Sequence, residues 1–151
     1  MNDITSYMLE QTKKILSIDS PTGFTAHAAE YVLGAYKKLG YDAKLTNKGG
    51  IFVCVNDGPD QADDPADAPI LLEAHMDTLG GMVCSINEKG RLMLSALGGM
   101  NPNNAEAENC RVYTRSGKVY SGTFQLKNAS IHVNGSYNDT ARSYDTMEVV
   151  L

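Results

Sequence analysis

Apolar residues fall at helical spacing near the start of the chain, where Ile4, Met8, Leu9, Ile15 and Leu16 share one side of residues 3–18. The stretch SPTGFT at 20–25 interrupts that period, because Pro21 and Gly23 favour a turn. A second helix follows, with Thr25 placed to cap its start and Ala28, Tyr31, Val32, Ala35 and Leu39 recurring on one face. Gly40 stands where a C-terminal cap belongs. The period then shortens to two. DAKLTN and IFVCVN read as short strands separated by Lys48-Gly49-Gly50. Residues 57–69 are acidic, proline-bearing and aperiodic, hence a surface loop. ILLEAHMD at 70–77 returns to the pattern of a buried strand, and a glycine-rich turn closes it.

The chain changes character after Gly80. Residues 81–99 have the pattern of a hairpin turning at 87–90, and residues 110–126 that of another turning at Ser116-Gly117. The tract 128–146 is polar and reads as loop. The terminal MEVVL is apolar and β-prone, and its abrupt stop is what an interrupted domain would give. The expectation is therefore an α/β portion with a mixed sheet and flanking helices over 1–80, then a β-rich portion over 81–151.

Composition narrows the function classes. The 151 residues are 42% hydrophobic and 21% charged, ordinary for a globular protein. A net charge of −5 argues against nucleic acid or an anionic membrane as the main partner. No apolar run approaches the roughly 18 residues that span a bilayer. The N-terminus is amphipathic and lacks the layout of a secretory signal, so a reducing cytoplasm is the expected compartment. Cys54, Cys84 and Cys110 form no CxxC pair, which supports neither a disulfide framework nor a thiolate zinc site. The Asn-x-Ser/Thr triplets at Asn128, Asn134 and Asn138 are then coincidental in a polar loop.

The candidate chemistry lies in the 70–77 strand. Side chains alternate across a strand, so Leu71, Glu73, His75 and Asp77 share one face. At the carboxyl end of such a strand an imidazole and a carboxylate can reach into a cleft together. A metal-binding histidine commonly has its other ring nitrogen fixed by a carboxylate, which sets tautomer and basicity. By spacing alone, a strand-end histidine with an ordinary hydrogen bond fits His75 as well.

Several stretches taken in order resemble one family. LLEAHMDTLGGMV (71–83) is similar to the first metal-binding motif of the glutamyl-aminopeptidase family of co-catalytic zinc exopeptidases. SPTGFT resembles its turn between the first two helices, and KGGIFVCV (48–55) one of its strands. LSALGGMNP (94–102) resembles its Gly-Gly-Asp/Asn-Pro stretch, and VYTRSGKVYSGTF (112–124) the hairpin of its inserted β-domain. The resemblance implies an α/β catalytic domain interrupted, soon after the His-x-Asp strand, by a β-rich dimerisation domain. It implies two divalent metal ions, zinc or cobalt, acting on a water that attacks the N-terminal peptide bond, with a glutamate as base. His75 would be a metal ligand, and Asp77 the active-site carboxylate that orients it. Peptides would be the substrates, and a homo-oligomer would form through the β-rich part.

In the resembled family the remaining ligands and the base follow the inserted domain, so this chain alone is expected to be inactive. A non-catalytic assembly module and a related metal-dependent deacylase or carboxypeptidase are the alternatives. Other candidates are weaker. His27 opens a helix whose core face already explains it. His132, with Asp139, Asp145 and Glu148, fits no standard ligand spacing. Asp60, Asp63, Asp64 and Asp67 belong to a solvated loop, and Glu73 is a possible neighbour of the His75 site.

Overall fold

The computed structural model describes residues 3–55 and 70–151. The acidic loop, with Asp60, Asp63, Asp64 and Asp67, lies outside the described residues. The chain divides into two compact units, Met1–Thr78 and Leu79–Leu151.

In the first unit, α1 (Asp3–Leu16) and α2 (Ala26–Lys38) form where the 3.6-residue period placed them. Lys14 bonds Glu10 one turn back along α1, and Tyr31 of α2 donates to Gln11 Oε1 at 2.6 Å. Thr25 occupies the N-cap position, but its side chain makes no capping bond; its carbonyl accepts from Ala29. Gly40 adopts φ +91° just past α2, a left-handed conformation that glycine takes without a Cβ penalty. The strands β1 (Lys44–Leu45) and β2 (Ile51–Phe52) pair antiparallel, Lys44 opposite Phe52. They are shorter than the apolar pattern suggested. Ala28, Ala29, Ala43 and Ser20 are the buried residues described in this unit.

Residues 70–77 depart from expectation. The segment joins no strand ladder among the described residues; just past its end Thr78 makes an isolated parallel bridge to Pro21. Ile70 is 87% exposed and Leu72 91%. An apolar strand is buried by adjacent strands and by the helices laid over them. The described residues put none beside 70–77, so the pattern is present and its burial is not.

In the second unit the two hairpins form as read. β3 (Gly80–Ile86) pairs with β4 (Leu92–Leu97), and β5 (Asn109–Tyr113) pairs with β6 (Val119–Leu126). Asn87 and Gly90 close the first turn, Thr114 and Gly117 the second. A short helix, α3 (Pro102–Ala105), is capped by the Asn101 side chain, which accepts from Asn103 N–H at 3.0 Å. The terminal β7 (Met147–Val150) is the middle strand of an antiparallel sheet ordered β3-β4-β7-β6-β5. It places Val149 opposite Leu92 on one side and opposite Phe124 on the other.

Leu92, Phe124, Leu126, Met147 and Val149 form the core of this unit, with Val112, Tyr137 and Tyr144 packed against it. The 128–146 tract is turn and loop, as its polarity indicated, yet its tyrosines cover the core. Arg142 ties the tract down. Its guanidinium bonds both Glu106 oxygens, at 2.8 and 3.2 Å, and the carbonyls of Tyr137 and Thr140. Burying Met147 and Val149 between two strands accounts for the apolar tail.

Candidate functional site

The turn after α1 builds the site from one side. Gly23 adopts φ +86°, and Phe24 N–H closes the turn onto Pro21 O at 2.7 Å. A Cβ at residue 23 would be strained in that conformation, which accounts for the glycine. The turn docks on the end of the 70–77 segment. Thr78 N–H donates to Ser20 O at 2.8 Å, and the Ser20 hydroxyl, buried at 1% exposure, donates to Met76 O at 3.0 Å. These bonds bracket Asp77.

His75 and Asp77 meet as strand alternation required. His75 Nδ1 lies 2.9 Å from Asp77 main-chain O and 3.2 Å from Asp77 Oδ1. A carbonyl oxygen only accepts, so these partners assign the ring proton to Nδ1. Nε2 then carries the lone pair, on a side chain that is 84% exposed. Asp77 Oδ2 accepts from the Thr22 hydroxyl at 2.7 Å. That bond is the main cause that holds the Asp77 carboxyl below its ordinary pKa; partial desolvation opposes it, and the segment's own backbone and His75 add to the lowering.

An imidazole with Nδ1 turned to the main-chain carbonyl and the carboxylate of one residue, and Nε2 open, fits one metal ligand and its orienting partner. It does not make a whole site. Among the described residues no group of three or more His, Cys, Asp or Glu side chains converges. Glu73 is exposed and adds no partner to His75. His27 is exposed on α2, its ring edge-on to Phe24 at 5.9 Å. His132, Asp139 and Asp145 are exposed. Glu148, grouped with them on sequence, is instead buried at 7% exposure, accepts from Asn87 Nδ2 at 3.3 Å and has Arg91 Nε at 4.0 Å.

Two residues of this site escaped the sequence reading. Ser20 and Thr22 sat in SPTGFT, which was read only as a turn. The signal available was two hydroxyls flanking Pro21. Their partners lie more than 50 residues away, and no local period points there.

A family model described as M42 glutamyl aminopeptidase matches residues 50–151. A putative aminopeptidase YhfE of Bacillus subtilis (strain 168) is 34% identical over 143 residues, covering 95% of this chain and 40% of that protein. A glutamyl aminopeptidase of Lactococcus lactis subsp. cremoris (strain MG1363) is 32% identical over 112 residues, covering 74% of this chain and 30% of that protein. The dodecamer PhTET1-12s shares the fold, with a TM-score of 0.74 at 21% identity, over 95% of this chain and 39% of that one. The chain thus spans about two fifths or less of the length of the proteins it matches.

Proposed function

This chain belongs to the M42 glutamyl aminopeptidase family, and from that premise we propose that it is the N-terminal part of a metal-dependent aminopeptidase that removes N-terminal residues from peptides. The observation that carries the reading is the His75–Asp77 pair, with Nδ1 engaged at 2.9 and 3.2 Å and Nε2 open. In this reading His75 offers Nε2 to one of two divalent ions, zinc or cobalt. Asp77 keeps the proton on Nδ1 and fixes the ring plane. When bound, such ions supply an activated water and positive charge facing the peptide carbonyl.

His75 and Asp77 alone cannot retain a catalytic ion, since such sites take at least three protein ligands. The 151-residue chain by itself is therefore proposed to be inactive. Residues 1–80 correspond to the first portion of the catalytic domain and residues 81–151 to part of the inserted β-rich domain. Homo-oligomerisation through that β-rich part is supported by the likeness to PhTET1-12s, a dodecamer. No helix among the described residues is long and apolar enough to cross a membrane. A cytoplasmic site of action is supported by the three cysteines, none of which forms a disulfide.

The test uses the full-length protein with free and N-terminally blocked peptides. The expected result is hydrolysis of the free ones only, abolished by a chelator and restored by zinc or cobalt. Full activity of His75→Ala would remove the ligand role. Cleavage of blocked substrates would instead favour a deacylase or carboxypeptidase.

A further inference from the structure

Asp77 turns its two oxygens to different partners: Oδ1 faces His75 Nδ1 at 3.2 Å, and Oδ2 accepts from Thr22 Oγ1 at 2.7 Å. A carboxylate on a free χ1 distributes over three staggered wells. The long contact to His75 selects poorly among them, whereas the short bond from Thr22 selects one. Thr22 itself is presented by a fixed backbone. Pro21 has its φ locked by the ring, Pro21 bridges Thr78, and Ser20 holds both Thr78 N–H and Met76 O. The hydroxyl thus comes from a clamp that already grips the chain on both sides of Asp77.

We propose that Thr22 is a positioning residue for Asp77, its hydroxyl holding the carboxylate in the single orientation that meets His75. The inference rests on the reading of Asp77 as the carboxylate that orients a metal-binding histidine. A purely structural role fits less well. Ser20 and the backbone bridge already join the turn to residues 76–78, and Thr22 is exposed, so its side chain adds little to burial.

The experiment compares Thr22→Val, which keeps the shape and removes the donor, with Thr22→Ser, which keeps the donor. In the 151-residue chain, three-bond Hα–Hβ couplings of Asp77 report its χ1 distribution. One rotamer is expected for the unsubstituted chain and for Thr22→Ser. Averaged couplings are expected for Thr22→Val, the occupied well falling toward about one third. The Thr78 amide should stay protected in all three. Unaveraged couplings in Thr22→Val overturn the proposal. So does averaging accompanied by loss of Thr78 protection, since Thr22 would then be holding the turn.

In the full-length protein Thr22→Val should lower kcat by about threefold at unchanged KM, with Thr22→Ser restoring it. Averaged couplings with kcat unchanged would also overturn it. A full-length protein inactive on every free peptide would sink the aminopeptidase reading, and the couplings alone would then judge Thr22.

Discussion

Replacing Gly122 with alanine puts a methyl group into the seam between β6 and β7. An ideal Cβ there would stand 2.7 Å from Val149 Cγ1, 2.9 Å from Val150 O and 3.2 Å from Leu151 Cδ2. Carbon contacts are comfortable at about 3.5–4.0 Å, so the seam must open by roughly an ångström. Val149 is 1% exposed and packed in the core, and Val150 is held opposite Thr123 in the ladder. Neither can retreat cheaply. Overpacking of this kind costs about 1–3 kcal/mol, against a gain of about 0.4–1 kcal/mol from restricting the unfolded chain. The net expectation is a loss of about 1–2 kcal/mol.

Gly34 supplies the opposite case. It lies inside α2, and a Cβ there would meet nothing within 4 Å. The same substitution should stabilise α2 by about 0.5–1 kcal/mol. Native-state hydrogen exchange with peptide resolution reads both in the 151-residue chain. In Gly122→Ala, exchange from β6 and β7 should accelerate by about 5–30-fold while α2 is unchanged. In Gly34→Ala, α2 should slow and the sheet stay as it was. If Gly122→Ala left β6 and β7 equally protected, the close fit of the two strands would be refuted.

Three further outcomes follow from the packing and charge described. Leu126→Ala removes a side chain that is 1% exposed at the centre of the core and should cost about 2–5 kcal/mol, read as a lower urea midpoint for the second unit. The Arg142 guanidinium, chiefly by its hydrogen bond, holds the Glu106 carboxyl below its ordinary value of about 4.5. A depressed folded pKa means that the unfolded chain binds more protons, so this contribution is present above the ordinary value and lost as pH falls through the folded one. Glu106→Gln should flatten that acid limb in thermal melts and lower stability at neutral pH. Gly23→Ala forces a Cβ at φ +86° and should cost about 1–2 kcal/mol locally, read as faster exchange of the Thr78 amide.

Much of the local structure was legible from residue order. Helical spacing placed both helices, alternation placed the two hairpins, and glycines marked turns now seen with positive φ at Gly23, Gly40, Gly90 and Gly117. The His75–Asp77 pair was legible for the same reason, because residues two apart on an extended segment share a side. These are short-range consequences of backbone geometry.

Tertiary structure decided which neighbour each element received. A period of two shows that a strand has an apolar face without saying what covers it, so Met147–Val150 emerged as a central strand while residues 70–77 stayed largely exposed. The polarity of 128–146 announced a loop but not that Tyr137, Arg142 and Tyr144 would close the core. Glu148 turned inward to Asn87, 61 residues away in sequence, and Thr22 reached Asp77 across 55. Such contacts follow from the docking of separate segments, whose free energy is set by packing and desolvation at the point of contact. That information is absent from any local window of the chain.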